Sequence, residues 1–212
     1  MPVSAKEKVP QWYKDSETGL NLFDEKTGKE LIGLKKCVPF LDALVSGYLL
    51  LTSVDIYITK KPDGFLDISY SDDLQGKYPI DIRPDESGKL IPRPPGHRRE
   101  HLVWTGNWGW KTPRGYSSLI CHPFNRFDLP FTTMAGIIDS DKMYGSGNLP
   151  FFLKGDFEGV IKKGTPYAQI LPFKRKKWYS AFAPKMEEQM QMNSKKNADG
   201  RYKKISWVRK EY

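Results

Sequence analysis

Three short segments hold the polar residues whose types and spacing could support chemistry: Arg114-Gly-Tyr-Ser-Ser-Leu119, Gly136-Ile-Ile-Asp-Ser-Asp141 and Gly164-Thr-Pro-Tyr-Ala-Gln-Ile170. Ser117 and Asp139 are 22 positions apart, and Asp139 and Gly164 are 25 apart. A carboxylate held in a partly desolvated turn can have its pKa tuned to take a proton from water. Taken singly, each segment is also what any β protein uses to turn, glycine beside β-branched residues.

Other groups invite chemistry by type. His97-Arg-Arg-Glu-His101 and Cys121-His122 together contain every histidine and one thiol. Zinc wants three or four N or S ligands in tetrahedral array. A spacing of four brings His97 and His101 to one face only on a helix, and the passage here reads as loop into strand, so no metal is expected. Cys121 and His122 have the types of a nucleophile and base, but strand neighbours point to opposite faces. Trp104, Trp108 and Trp110 offer a platform for sugars or bases, or else core and interface packing. No phosphate-binding loop, dinucleotide glycine fingerprint or Gly-x-Ser-x-Gly elbow occurs.

The charge is unevenly placed. Residues 174–212 carry twelve basic groups against four acidic ones, a surplus of eight, whereas the other 173 residues are nearly balanced at +1. Lys174, Arg175, Lys176, Lys177, Trp178, Arg201, Lys203 and Lys204 mix cations with an aromatic as a nucleic-acid or partner-binding tail would. The plainer reading is a solvated extension, or an arm on a neighbouring subunit with an acidic surface. The longest apolar run, Ala43 to Val54, is broken by Ser and Gly and is too short for the ~20 residues of a membrane span. No apolar signal region opens the chain, so no membrane association or secretion is expected. Two cysteines, Cys37 and Cys121, are too few for a disulfide framework and read as free buried thiols.

The elements that must position these residues are mostly strands. Residues 1–36 read as an arm with a turn at Asp24 to Lys29; 37–173 as a β-barrel domain; 174–212 as a basic extension with a short helix over Lys185 to Asn197. Pro39 opens a short helix that Gly47 ends. Tyr48 to Ile58 reads as one strand, Pro62-Asp-Gly64 as a turn and Phe65 to Tyr70 as a half-buried strand. Ser71 to Arg99 is loop-like, and His101 to Thr105 and Trp108 to Thr112 are aromatic strands. Short apolar runs then alternate with Gly, Pro and Asn up to Phe173, a spacing that predicts an all-β barrel or sandwich.

Read together and in order, the three segments resemble the trimeric dUTPase and dCTP deaminase family over Trp110 to Pro172. The resemblance implies a β-clip barrel, a homotrimer and sites between subunits. It implies that Asp139 is a general base, and that Gln169, Gly164, Ser117, Ser118, Arg114 and Tyr144 line a ligand site. The chain departs from that pattern: Lys142 stands where the family has a sugar-packing Tyr, and Tyr144 comes two residues late. Arg114 sits three residues before the serine pair, and neither the family's first motif nor its glycine-rich closing arm is found. The whole chain also resembles an uncharacterised family of tailed bacteriophages and some bacteria, through Cys37-Val-Pro-Phe-Leu-Asp-Ala43, Trp110 to Leu119, His122-Pro-Phe-Asn-Arg126 and Gly164 to Phe173.

These resemblances imply a phage-encoded, non-catalytic dUTPase-like β-barrel protein with a binding or assembly role. It would be a virion component or a host-directed effector, in the host cytoplasm or the particle, with another phage or host protein as partner. The alternatives are a divergent nucleotide pyrophosphatase or deaminase, the one case needing Mg2+, and single-stranded nucleic-acid binding through the tail.

Overall fold

The computed structural model describes residues 1–83, 91–106, 108–145, 147–181, 183, 186–198 and 201–210. It is mainly β and antiparallel. In chain order the strands are β1 (Val3–Ser4), β2 (Gly19–Phe23), β3 (Glu30–Ile32), β4 (Tyr48–Leu51), β5 (Ile56–Lys60), β6 (Leu66–Tyr70) and β7 (Ile80–Ile82). There follow β8 (Leu102–Thr105), β9 (Tyr116–Cys121), β10 (Phe131–Thr133), β11 (Gly136–Ile138), β12 (Asn148–Leu153), β13 (Gly159–Ile161) and β14 (Pro166–Lys174). They form four sheets: β1-β4-β14-β9-β11, β10-β12-β8-β7, β13-β5-β6 and the hairpin β2-β3. The expected barrel does not close into a ring of hydrogen-bonded strands among the described residues.

The chain divides into two compact units, Met1–Val3 with Gly47–Arg175, and Ser4–Ser46 with Lys176–Tyr212. The division falls at Gly47, ten residues beyond the arm boundary read from composition. The first unit holds the core. Trp104 stacks on Phe151 at 4.1 Å and Tyr167 at 4.9 Å, with Phe131 edge-on at 5.0 Å. Leu50, Ile56, Ile58, Leu102, Leu153 and Ile170 bury around them. Aromatic side chains dominate such a core because each removes a large apolar area from water.

Two strand expectations are corrected. The run Tyr48 to Ile58 is not one strand. Thr52 donates its N–H to Thr165 O (3.0 Å) and its hydroxyl to Lys162 O (2.8 Å), and its own carbonyl accepts from Gly164 N–H (2.9 Å). These bonds turn the chain out of the β4-β14 pair and into the β5-β13 pair, so one β-prone run serves two sheets. Residues 108–112 form no strand either. Trp110 donates its indole N–H to Ser118 Oγ (3.1 Å), and the Thr112 hydroxyl is hydrogen-bonded to that of Ser140 (2.8 Å). Ile80–Ile82, in the stretch read as loop, is a strand paired with β8. The turn over residues 62–64 and the strand ending at Tyr70 are found as expected, as the hairpin β5-β6.

In the second unit, α1 (Gln11–Asp15) sets Trp12 and Tyr13 against Phe40 of α2 (Val38–Val45), the rings 6.2 and 6.0 Å apart. Pro39 stands in the first turn of α2, where its missing N–H costs nothing. The extension contributes α3 (Met186–Asn197) and α4 (Tyr202–Ile205). Lys185, where the expected helix begins, lies outside the described residues. Beyond α4, Trp207 donates its indole N–H to Asp42 (2.8 Å), and Lys210 lies 3.6 Å from the same carboxylate.

Gly47 heads β4 with φ +66°, and a Cβ there would stand 2.1 Å from the Ile170 carbonyl oxygen of β14. Left-handed backbone costs a residue with a Cβ roughly 1–3 kcal/mol before any clash is counted. Gly47→Ala should therefore lower unfolding free energy in urea by at least that amount; an unchanged midpoint would contradict this packing.

Candidate functional site

Register builds the site. β14 and β11 both run antiparallel to β9, on its two sides, so both end beside its beginning. Lys174 lies opposite Tyr116 and Ile138 opposite Ser118. The residues just beyond those ends, Arg175, Asp139 and Asp141, therefore converge on Tyr116 and Ser117. Arg175 is tied in place by its own N–H, which bonds Gly115 O at 2.8 Å.

The guanidinium of Arg175 then spans the cluster. Its Nη1 donates to Asp139 Oδ1 (3.0 Å), Asp141 Oδ1 (2.9 Å), Ser117 Oγ (2.9 Å) and Tyr116 O (2.8 Å), and Nη2 donates to Asp141 Oδ2. Asp141 also accepts the Gly115 N–H at 2.8 Å, and Ser117 Oγ donates to Asp139 Oδ1 at 2.7 Å. The Asp141 side chain is 4% exposed, Arg175 34% and Asp139 53%. The forked contact of Arg175 on Asp141, backed by Gly115 N–H, holds that carboxyl down at about 2. The same pair raises the guanidinium above its ordinary value.

Between the two aspartates, Ser140 points the other way. It is fully buried, and its hydroxyl meets Thr112 Oγ1 and Ser118 Oγ, each at 2.8 Å. The indole N–H of Trp110 closes the chain on Ser118 at 3.1 Å. Each hydroxyl is satisfied, and a fully satisfied buried network fixes the geometry of what surrounds it. The segment Asp139-Ser140-Asp141 thus turns two carboxylates toward Arg175, Asp139 half-exposed and Asp141 covered, and one hydroxyl anchor the other way.

The other residues named from sequence are dispersed. Ser118 is buried in the network just described. Gln169 is 1% exposed, its side-chain carbonyl accepting Phe124 N–H at 2.8 Å. Gly164, at φ +82°, serves the turn bonded to Thr52. Arg114 is exposed in the turn before Gly115 and makes no ion pair among the described residues. Tyr144 is exposed beneath the Lys111 ammonium, 4.8 Å from its ring. Of the ligand residues expected, Ser117 alone joins Asp139.

Arg175 is the main correction to the expected tail: it belongs to the carboxylate cluster, not to the free basic segment. Arg201, though exposed, donates to Lys195 O (2.7 Å) and Ala198 O (3.1 Å) at the end of α3. Lys174, Lys176, Lys177, Trp178, Lys203 and Lys204 are exposed. Asp141, Ser140 and Thr112 are site residues beyond those expected from sequence; the i, i+2 alternation of Asp139 and Asp141 is the sequence signal for the first.

The remaining candidates serve packing. Burial pushes the Cys121 thiol up to about 11, and both His122 nitrogens are engaged, by Thr133 N–H (3.3 Å) and Arg126 O (3.0 Å). Cys37 is exposed, contrary to the buried thiol expected. His97 bonds Thr132 and the Pro95 carbonyl, and no metal-holding cluster occurs among the described residues. Trp104 is core and therefore no part of a surface platform. No model of a known protein family matches this chain, and no curated protein matches it.

The sign of the pH dependence follows from the lowered Asp141. The unfolded chain begins to protonate that carboxyl near pH 4, while the folded chain holds it ionised to about 2. The stabilisation is therefore complete above pH 4 and is lost as pH falls through 2. Asp141→Asn should be less stable than the wild type at pH 6, with the difference closing between pH 4 and 2. A difference independent of pH would show that the ion pair is not its source.

Proposed function

We propose that this chain is a phage-encoded, dUTPase-like β protein that has kept its scaffold and lost its catalysis, with a binding or assembly role in the virion or on a host molecule. One observation carries the reading. The oxygen of Asp139 that faces Ser117 already accepts two hydrogen bonds, from that hydroxyl and from Arg175. A general base needs a lone pair aimed at its water in a productive pose, and the two donors compete for it. Ser118 and Gln169 are likewise spent on internal bonds. The family motifs absent from the sequence point the same way, and fold does not imply function.

A divergent nucleotide enzyme is the second reading, favoured by the half-exposed Asp139 beside a cation able to meet phosphate. Nucleic-acid binding through the exposed lysines and Trp178 of the extension is the third.

Pyrophosphate release and ammonia release, measured with all deoxynucleoside triphosphates with and without Mg2+, separate the first two readings. The expected result is no turnover above buffer. Turnover at an ordinary enzymatic rate, about 1 per second or faster, would overturn the proposal.

A further inference from the structure

The first unit carries a groove of about 730 Å3 between two sheet edges. One wall is β6, which pairs only with β5; the other is β7, which pairs only with β8 among the described residues. Each edge leaves a row of backbone donors and acceptors unpaired, a template for an extended segment. Tyr70 bridges the walls by donating to Ile80 O at 3.5 Å, and it stacks on Tyr78 with centroids 5.5 Å apart.

The groove is acidic. Asp67, Asp72, Asp73 and Asp81 line it, against Lys61 alone. Asp81 is paired with Arg83 at 3.0 Å, and Asp67 meets Lys61 only at 3.9 Å. Asp72 accepts from Ser71 Oγ and Asp73 from Gln75 N–H, and neither meets a cation among the described residues. Two exposed carboxylates with no counter-ion among the described residues therefore sit at the mouth of a groove lined by two tyrosines and open strand edges.

The same chain contains the complement. After Arg175, residues 176–181 adopt no helix or strand, and they begin Lys176-Lys177-Trp178-Tyr179. Trp178 is 89% and Tyr179 86% exposed, unusual for large aromatics. A segment outside any helix or strand, with two cations and two unburied aromatic rings, matches open edges, two carboxylates that meet no cation among the described residues, and a stacked tyrosine pair.

We propose that Lys176-Lys177-Trp178-Tyr179 of one copy lies in the groove between β6 and β7 of a second copy, its lysines on Asp72 and Asp73. The contact joins unlike surfaces, so it propagates head to tail and stops only when a ring closes. The docking rests on the binding-or-assembly reading and gives that reading a partner, a second copy of this chain.

Light scattering on the eluting full-length protein tests it, with circular dichroism confirming that each variant is folded. Wild type at low salt should show a multiple of the 24.4 kDa chain mass, falling toward one chain in roughly 1 M salt, which screens exposed pairs. Asp72→Lys/Asp73→Lys should be a single chain, as should Lys176→Glu/Lys177→Glu. Combining the four reversals in one chain, or mixing the two double variants, should restore the larger mass. A monomeric wild type, double variants that keep the wild-type mass, or failure of the exchanged charges to restore it would each overturn the docking. None of these readings uses turnover, so an enzyme that assembles, or an inert monomer, would separate this inference from the loss of catalysis.

Discussion

Two carboxylates that accept hydrogen bonds from the same guanidinium nitrogen must stand close together, and like charges at such a distance repel unless a cation lies between them. Arg175 is that cation. Its place is set by the last pair of the β14-β9 ladder, and the places of Asp139 and Asp141 by the last pair of β11-β9. Three strand ends are thereby joined by one side chain, and the joint is braced from below by the buried hydroxyls of Ser118, Ser140 and Thr112. A charge-assisted fork is roughly twice as strong as a neutral hydrogen bond and far more particular about direction. It makes a good fastening and a poor vacancy.

That constraint shapes the functional reading. A site that performs chemistry on a nucleotide has to offer converging donors that are free until the ligand arrives. Here the donors of Arg175 and Ser117 are already engaged with Asp139 and Asp141. The extension leaves the sheet immediately after this fastening, so Arg175 marks where the first unit ends and the exposed basic segment begins. The fastened end holds three strand ends together, whereas the segment that follows leaves its lysines and aromatic rings exposed.

Much of the fold was legible where alternation is local. Leu66–Tyr70 and Leu102–Thr105 show apolar and aromatic residues at strand spacing, and the helices around Pro39 and Met186 follow from proline placement and side-chain type. The run from Tyr48 was misread because β propensity records that a residue suits a strand but not which strand it pairs with, and Thr52 changes partners. The strand expected over Trp108 to Thr112 does not form because Trp110 and Thr112 are held by side-chain bonds to Ser118 and Ser140, which alternation within the segment does not record. Asp139 and Ser117 were legible as a pair from their segments. Arg175 was not, since among four consecutive basic residues composition cannot distinguish the one whose register delivers it to a carboxylate.

Arg175 clamps Asp141 and shares Asp139. Carboxyl resonances of the aspartates, followed by NMR as pH is lowered in wild type and in Arg175→Ala, test it most directly. Asp141 should titrate at about 2 in the wild type and move up toward the ordinary carboxylate range when the guanidinium is removed. An Asp141 that titrates in the ordinary range in both proteins would contradict it.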